Sequence, residues 1–202
     1  MTDATDRTAQ QMADFGPQTR IVAVLADGVR EDQLGLATPC PEYAVRNLLG
    51  HILGLTVAFG DAGRKNLGPA TDTSPTAYLP DITDGWRDAL AKALDKLAET
   101  WRDPEAWQGM TRAGGVDLPG AVAALVALDE LVVHSWDLAK ATGQEYAPDE
   151  AALQGAHAFL LQSAEGPRRA IFGPVVQVDD AATLLDRVVG LSGRDPGWKP
   201  AA

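Results

Sequence analysis

A single cysteine, Cys40, stands among 202 residues, so the chain closes no internal disulfide and carries no CxxC-type zinc or redox site. Histidine is scarce too, with three in all, and any metal ion must be held by these and by carboxylates. No run of eighteen apolar residues occurs, which excludes a helical membrane span. The opening segment MTDATDRTAQQMADFG lacks both a basic n-region and an apolar h-region, so no secretion signal is expected and the cytoplasm is the default compartment. GxGxxG, the P-loop, GxSxG and internal repeats are all absent. Basic charge is in deficit: 17 Lys and Arg face 28 Asp and Glu, a formal net charge of −11. Such a field repels phosphate backbones and anionic lipid, and the basic residues are scattered, so neither nucleic acid nor a membrane is expected as a partner.

What the chain does have is apolar residues, 46% of the total, recurring at helical spacing. The length suits one domain over residues 1–202, with a bundle over about 5–166 and an appendage over about 167–202. Periodicity predicts helices over about Pro17 to Arg30, Val45 to Arg64, Ile82 to Arg102, Pro119 to Thr142, and from an Asp149 cap to about Ser163. The third carries Trp86, Leu90, Ala93, Leu94, Leu97 and Trp101, a stripe expected to face a bundle core. The fourth is the most apolar and stops at Gly143. Stretches at about Asn66 to Asp81 and Asp103 to Leu118, rich in Gly, Pro, Ser and Thr, are expected to be loops, because no run alternates long enough for a sheet. In the tail, an extended piece at Val175 to Val178 and a sixth helix through Leu184, Leu185, Val188 and Leu191 are expected to pack on the bundle. The fold class is therefore all-α, a four-helix bundle with a short C-terminal helix.

Two of the three histidines interrupt apolar helix faces. On the fourth helix Val122, Val126, Glu130 and His134 step by four, placing a carboxylate and an imidazole one turn apart where aliphatic residues precede them. A buried, unpaired carboxylate is costly, and a divalent ion satisfies it directly. His51, on the second helix, is the third candidate ligand. Its neighbours Gly50 and Gly54 are helix-interior glycines, each costing ~1 kcal/mol relative to Ala, and they let either another element or a ligand come close. Two imidazoles and one carboxylate leave a zinc-type site with open positions, as in catalytic coordination. Plainer readings stand beside this one: His51 as a hydrogen-bonded core residue, and Glu130 with His134 as a buried ion pair. His157 lies on an apolar stripe without an acidic partner and is expected to be a core histidine. Asp137 is expected to support His134 or to replace a ligand, Asp129 to be solvated on another face, Trp136 to pack, and Cys40 to be structural.

Thr38-Pro39-Cys40 leading into a helix with Leu48 and His51, the run Asp129-Glu130-Leu131-Val132-Val133-His134-Ser135-Trp136-Asp137-Leu138-Ala139, and the closing Phe172-Gly173-Pro174 and Gly193-Arg194-Asp195-Pro196 are recognisable. The chain resembles, over nearly its whole length, the actinobacterial branch of the DinB/YfiT-like superfamily, related to the N-terminal domain of mycothiol-dependent maleylpyruvate isomerase. The resemblance implies a DinB-type bundle and a divalent metal, zinc or nickel, on His51, Glu130 and His134. It also implies transfer or isomerisation with a small-molecule thiol, mycothiol or bacillithiol, whose sulfur occupies the open metal position. Arg46, Arg64 and Arg112 are the candidate groups for the thiol's polar parts. A metal-dependent hydrolase with Asp137 as base, and a non-catalytic metal or small-ligand module, remain as alternatives; a homodimer is the assembly left open. Two departures from the family pattern are evident. The isomerase has a second domain for which 202 residues leave no room, so its particular substrate is not expected here. The second helix begins at Ala44 rather than at a capping Ser, Thr or Asp, a loss of about 1 kcal/mol.

Overall fold

A computed structural model describes residues 12–74, 77–164, 172–179 and 181–200. The expected bundle therefore extends at both ends (residues 5–11 and 165–166) outside the described residues. Seven helices occur among these residues: α1 Gly16–Asp27, α2 Val45–Gly63, α3 Pro69–Asp72, α4 Trp86–Thr100, α5 Gly120–Thr142, α6 Glu150–Ala164 and α7 Leu184–Leu191. Two short strands, β1 Met110–Ala113 and β2 Val116–Pro119, form an antiparallel hairpin. Helices α1, α4, α2 and α5 each touch the next, and α5 closes the ring on α1. This is a four-helix bundle of all-α class; α6 packs outside on α5, and α7 on α6.

The stripe on α4 does what its period implies, burying Trp86, Leu90, Leu94, Leu97 and Trp101 against Leu48, Leu49 and Ile52 of α2 and Val22 and Leu25 of α1. Phe15 stacks on Trp101 with ring centroids 5.6 Å apart. α5 is the central rod, buried on nearly every side from Ala127 to Thr142, and it ends where Gly143 takes φ +71°. Asp149 caps α6 by accepting from the Ala152 N–H at 3.0 Å. The missing cap of α2 is offset from the other side: Asn47 Oδ1 accepts from the Ala44 N–H at 3.2 Å. No helix among the described residues is long and apolar enough to cross a membrane.

Two expectations need correction. The stretch from Asp103 to Leu118 is not all loop: a 3-10 turn, Pro104–Trp107, precedes β1 and the start of β2. Gly114 and Gly115, at φ +59° and +77°, make the two-residue turn that joins the strands. The loop before Asp81 contains the single turn of α3. The piece expected to be extended at Val175 to Val178 runs beside α7 outside any strand, and the Val176 N–H donates to the Gly190 carbonyl at 3.0 Å.

Candidate metal centre

The packing of α2 on α5 brings His51 to Glu130 and His134. His51 Nε2 lies 3.4 Å from Glu130 Oε2, and His134 Nε2 lies 3.0 Å from the same oxygen. The two imidazole rings meet edge to face with centroids 4.8 Å apart. One donor atom from each of the three residues falls within 4.8 Å of the others, close enough for one divalent ion to be shared. His157 does not join them; it is half-buried on α6, and burial with the nearby Arg187 charge lowers its pKa.

The far side of His134 is fixed as well. Its Nδ1–H donates to Asp137 Oδ2 at 2.9 Å, and Asp137, fully buried, accepts from Arg194 Nε at 3.3 Å and Nη2 at 3.1 Å. With Nδ1 committed to Asp137, Nε2 is the atom aimed at Glu130 and His51. Burial opposes charge on His134, but the hydrogen bonds to Asp137 and Glu130 and the charges of both carboxylates overcome it and raise its pKa to about 9. Burial opposes charge on Glu130, whose side chain is 17% exposed, yet hydrogen bonds from His134 and His51, and their charges, hold it well below the usual carboxylate range. A proton on His134 thus occupies the place between nitrogen and carboxylate where a cation would serve the same purpose. Two imidazole nitrogens and a carboxylate oxygen are a donor set that suits zinc or nickel.

Other candidates fall differently. Asp129 is not solvated: it is 2% exposed, Oδ1 has no hydrogen-bond partner among the described residues, and burial together with Glu130 pushes its carboxyl well above the usual range. α5 is enclosed on most of its circumference, so a face turned from His134 is still inside the protein. Trp136 is buried, as expected of a packing residue. Burial pushes the Cys40 thiol up to about 11 despite the influence of Arg194, which fits a structural role. Arg46 pairs with Asp81, Arg64 with Asp61 and Thr100, and Arg112 with Asp72 and Asp117, so each cation already has anionic company.

Sequence reasoning missed two features. Arg194 was visible only as part of a recognisable closing segment, with nothing to connect it to α5. The second feature is a cavity of about 720 Å³ whose floor includes His51 and Glu130 and whose walls come from α2, α5, α6 and the hairpin. The stripe residues Val122 and Val126 line this cavity, and Val126 also packs against the bundle core. The two glycines of α2 divide the roles expected of them: a Cβ on Gly50 would lie 2.7 Å from the Asp81 backbone, whereas a Cβ on Gly54 would meet nothing within 4 Å. Gly50 admits a neighbouring chain segment, and Gly54 opens onto the cavity.

A helical bundle with a His/Glu/His cluster at the foot of a ligand-sized cavity defines the class. A sequence profile of the mycothiol maleylpyruvate isomerase N-terminal domain matches residues 15–139, and the chain belongs to that family. Two uncharacterised proteins of Mycobacterium tuberculosis, one from each of two strains, are each 30% identical over 135 residues, covering 66% of this chain and 67% of theirs. Two crystal structures of mycothiol-dependent maleylpyruvate isomerase, one of them a histidine-to-alanine mutant, share the fold. Their TM-scores are 0.58 for the mutant and 0.53 for the other, at 15% identity over 75% of this chain and 68% of each of those.

Proposed function

We propose that the protein is a metal-dependent enzyme that uses a low-molecular-weight thiol of the mycothiol type for a transfer or isomerisation reaction. The carrying observation is the convergence of donor atoms from His51, Glu130 and His134 at the floor of the cavity. These three residues would hold a zinc or nickel ion, which when bound supplies a Lewis acid that lowers the pKa of a thiol at its open position. Asp137 and Arg194 keep the His134 ring in one orientation and one tautomer, so that Nε2 stays directed at the site. The apolar walls would leave a sulfur bound between them less hydrated than in bulk water. The thiol itself comes from the family, whose characterised relatives are mycothiol-dependent by name.

The hydrolase alternative needs a base beyond the ligands. Asp137, its candidate, is fully buried, with both oxygens engaged by Arg194 and one also by His134, so it is not placed to take a proton from water.

The test is metal content by mass spectrometry of protein purified without a His-tag or chelator, for wild type and His134→Ala, followed by calorimetric titration with mycothiol. About one equivalent of zinc or nickel in wild type, little in the variant, and mycothiol binding only to the loaded form are expected. Absence of stoichiometric metal after reconstitution would reduce the cluster to a buried polar network. Metal without thiol binding would leave a metal-binding module.

A further inference from the structure

We infer that the molecule meeting the thiol in this site is uncharged and predominantly apolar, and that it binds in the cavity above His51 and Glu130; its role as a reactant rests on the function proposed above. The volume of about 720 Å³ lies within the roughly 300–1,000 Å³ of small-molecule sites. Its walls are mainly aliphatic and aromatic, with Leu53 and Val57 of α2, Val122 and Val126 of α5, Val116 of β2 and Phe159 of α6, beside the hydroxyls of Thr73, Ser74 and Ser163. Val57 and Val122 remain 42% and 38% exposed, apolar surface that an apolar occupant would cover.

Charge points the same way. The described lining residues include no lysine or arginine; its two carboxylates are Glu130 on the floor and Asp117 on β2. Arg112, the cation beside Asp117, is shared with Asp72, at 2.7 Å from Asp117 and 3.0 Å from Asp72. Away from an ion held at the floor, a dicarboxylate entering here would lose its hydration, meet the charge of Asp117 and gain no cation from the described lining residues. An uncharged apolar molecule loses nothing by the same transfer. Gly54 adds shape to this argument. It lines the cavity on α2, four residues before Ala58, and a side chain built on it would project into open space. Nothing in the packing of the bundle requires glycine there, whereas a cavity kept open toward a ligand does.

The probe is N-phenyl-1-naphthylamine, a neutral fluorophore that brightens in apolar sites, titrated into metal-free and metal-loaded protein. Wild type is expected to bind one equivalent, and maleate at the same concentration is expected not to displace it. Gly54→Leu fills the cavity from α2 and Val122→Trp from α5, so the result does not depend on one variant folding. Each is expected to weaken the probe by about tenfold or more while leaving the far-ultraviolet circular dichroism unchanged. Failure to bind, displacement by maleate, or unchanged affinity in both variants overturns the inference. Metal content and mycothiol binding are measured on the same preparations. Probe binding without either one overturns the proposed function and leaves the ligand class standing; metal and thiol binding without probe binding does the reverse.

Discussion

Arg194 grips Asp137 through both carboxylate oxygens, across 57 residues of chain, and so ties the C-terminal segment to the helix that carries His134. The pair is buried, with Asp137 fully enclosed and Arg194 13% exposed. Replacing Arg194 by Met leaves the Asp137 charge without its cation. Removing one partner of a buried pair costs about 3–5 kcal/mol, so Arg194→Met is expected to unfold at markedly lower urea concentration than wild type.

The same contact predicts a milder effect on the proposed metal. Asp137→Asn keeps the shape of the side chain but removes the charge that orients and polarises His134. Loss of such a carboxylate partner typically weakens metal affinity about 10–100-fold. Competition against a chromophoric chelator checks this, and an unchanged affinity would show that His134 needs no support from Asp137.

Neighbouring glycines on one helix should respond with opposite sign. Gly50→Ala forces a Cβ to within 2.7 Å of the Asp81 carbonyl carbon, and a rigid backbone contact of that kind costs about 1–3 kcal/mol. Gly54→Ala meets nothing and gains the helix propensity that glycine lacks, about 1 kcal/mol. Urea midpoints of the two variants are expected to move in opposite directions.

Cys40 offers a pH test on a group that is not itself a candidate ligand, though the charges of Arg194, Asp137 and Glu130 reach it. Burial raises its thiol from 9.0 to about 11, so its alkylation by iodoacetamide should keep rising with pH beyond about 10, where an ordinary thiol has levelled off. Because folding raises this pKa, the folded state holds the proton more tightly than the unfolded chain. The corresponding stability is complete below about pH 9 and is lost as pH rises toward 11. Cys40→Ser should remove that alkaline loss, as followed by thermal melts across this range.

Gly115 tests the hairpin. Its φ of +77° and the 2.9 Å approach that a Cβ would make to the Asp72 carbonyl oxygen leave no comfortable place for a side chain. The left-handed conformation alone costs a non-glycine residue about 1–2 kcal/mol. Gly115→Ala is expected to lower the melting temperature and, because Val116 lines the cavity, to alter binding of the naphthylamine probe.

The bundle was legible because its helices are long and their periods clean. Leu90, Leu94 and Leu97 announce a core-facing stripe, and Asp149 and Gly143 mark ends that the structure keeps. His51, Glu130 and His134 stood out because polar residues at apolar positions require a partner, and their ring and carboxylate atoms do meet. The hairpin was harder to see. Strands of four residues are too short to display alternation, and the Gly114-Gly115 turn was the available signal. Periodicity also cannot distinguish a helix face that meets another helix from one that meets empty space, so the stripe through Val122 and Val126 gave no sign of the cavity it lines. Asp129 was misplaced because α5 has hardly any solvent-facing side in its middle, a property set by its neighbours. Arg194 reaches Asp137 only through the path of the tail, which local pattern does not encode.

The cavity draws its floor and its outer wall from different kinds of structure. His51 and Glu130 stand on helices locked into the bundle, while Val116 and Leu118 belong to a hairpin attached near Thr71 and Asp72. Changes at the cavity-facing Val116 can therefore redraw what the cavity accepts while His51 and Glu130 keep their places on the helices. Descendants of such a chain are free to diverge in what the cavity admits while inheriting one His/Glu/His cluster.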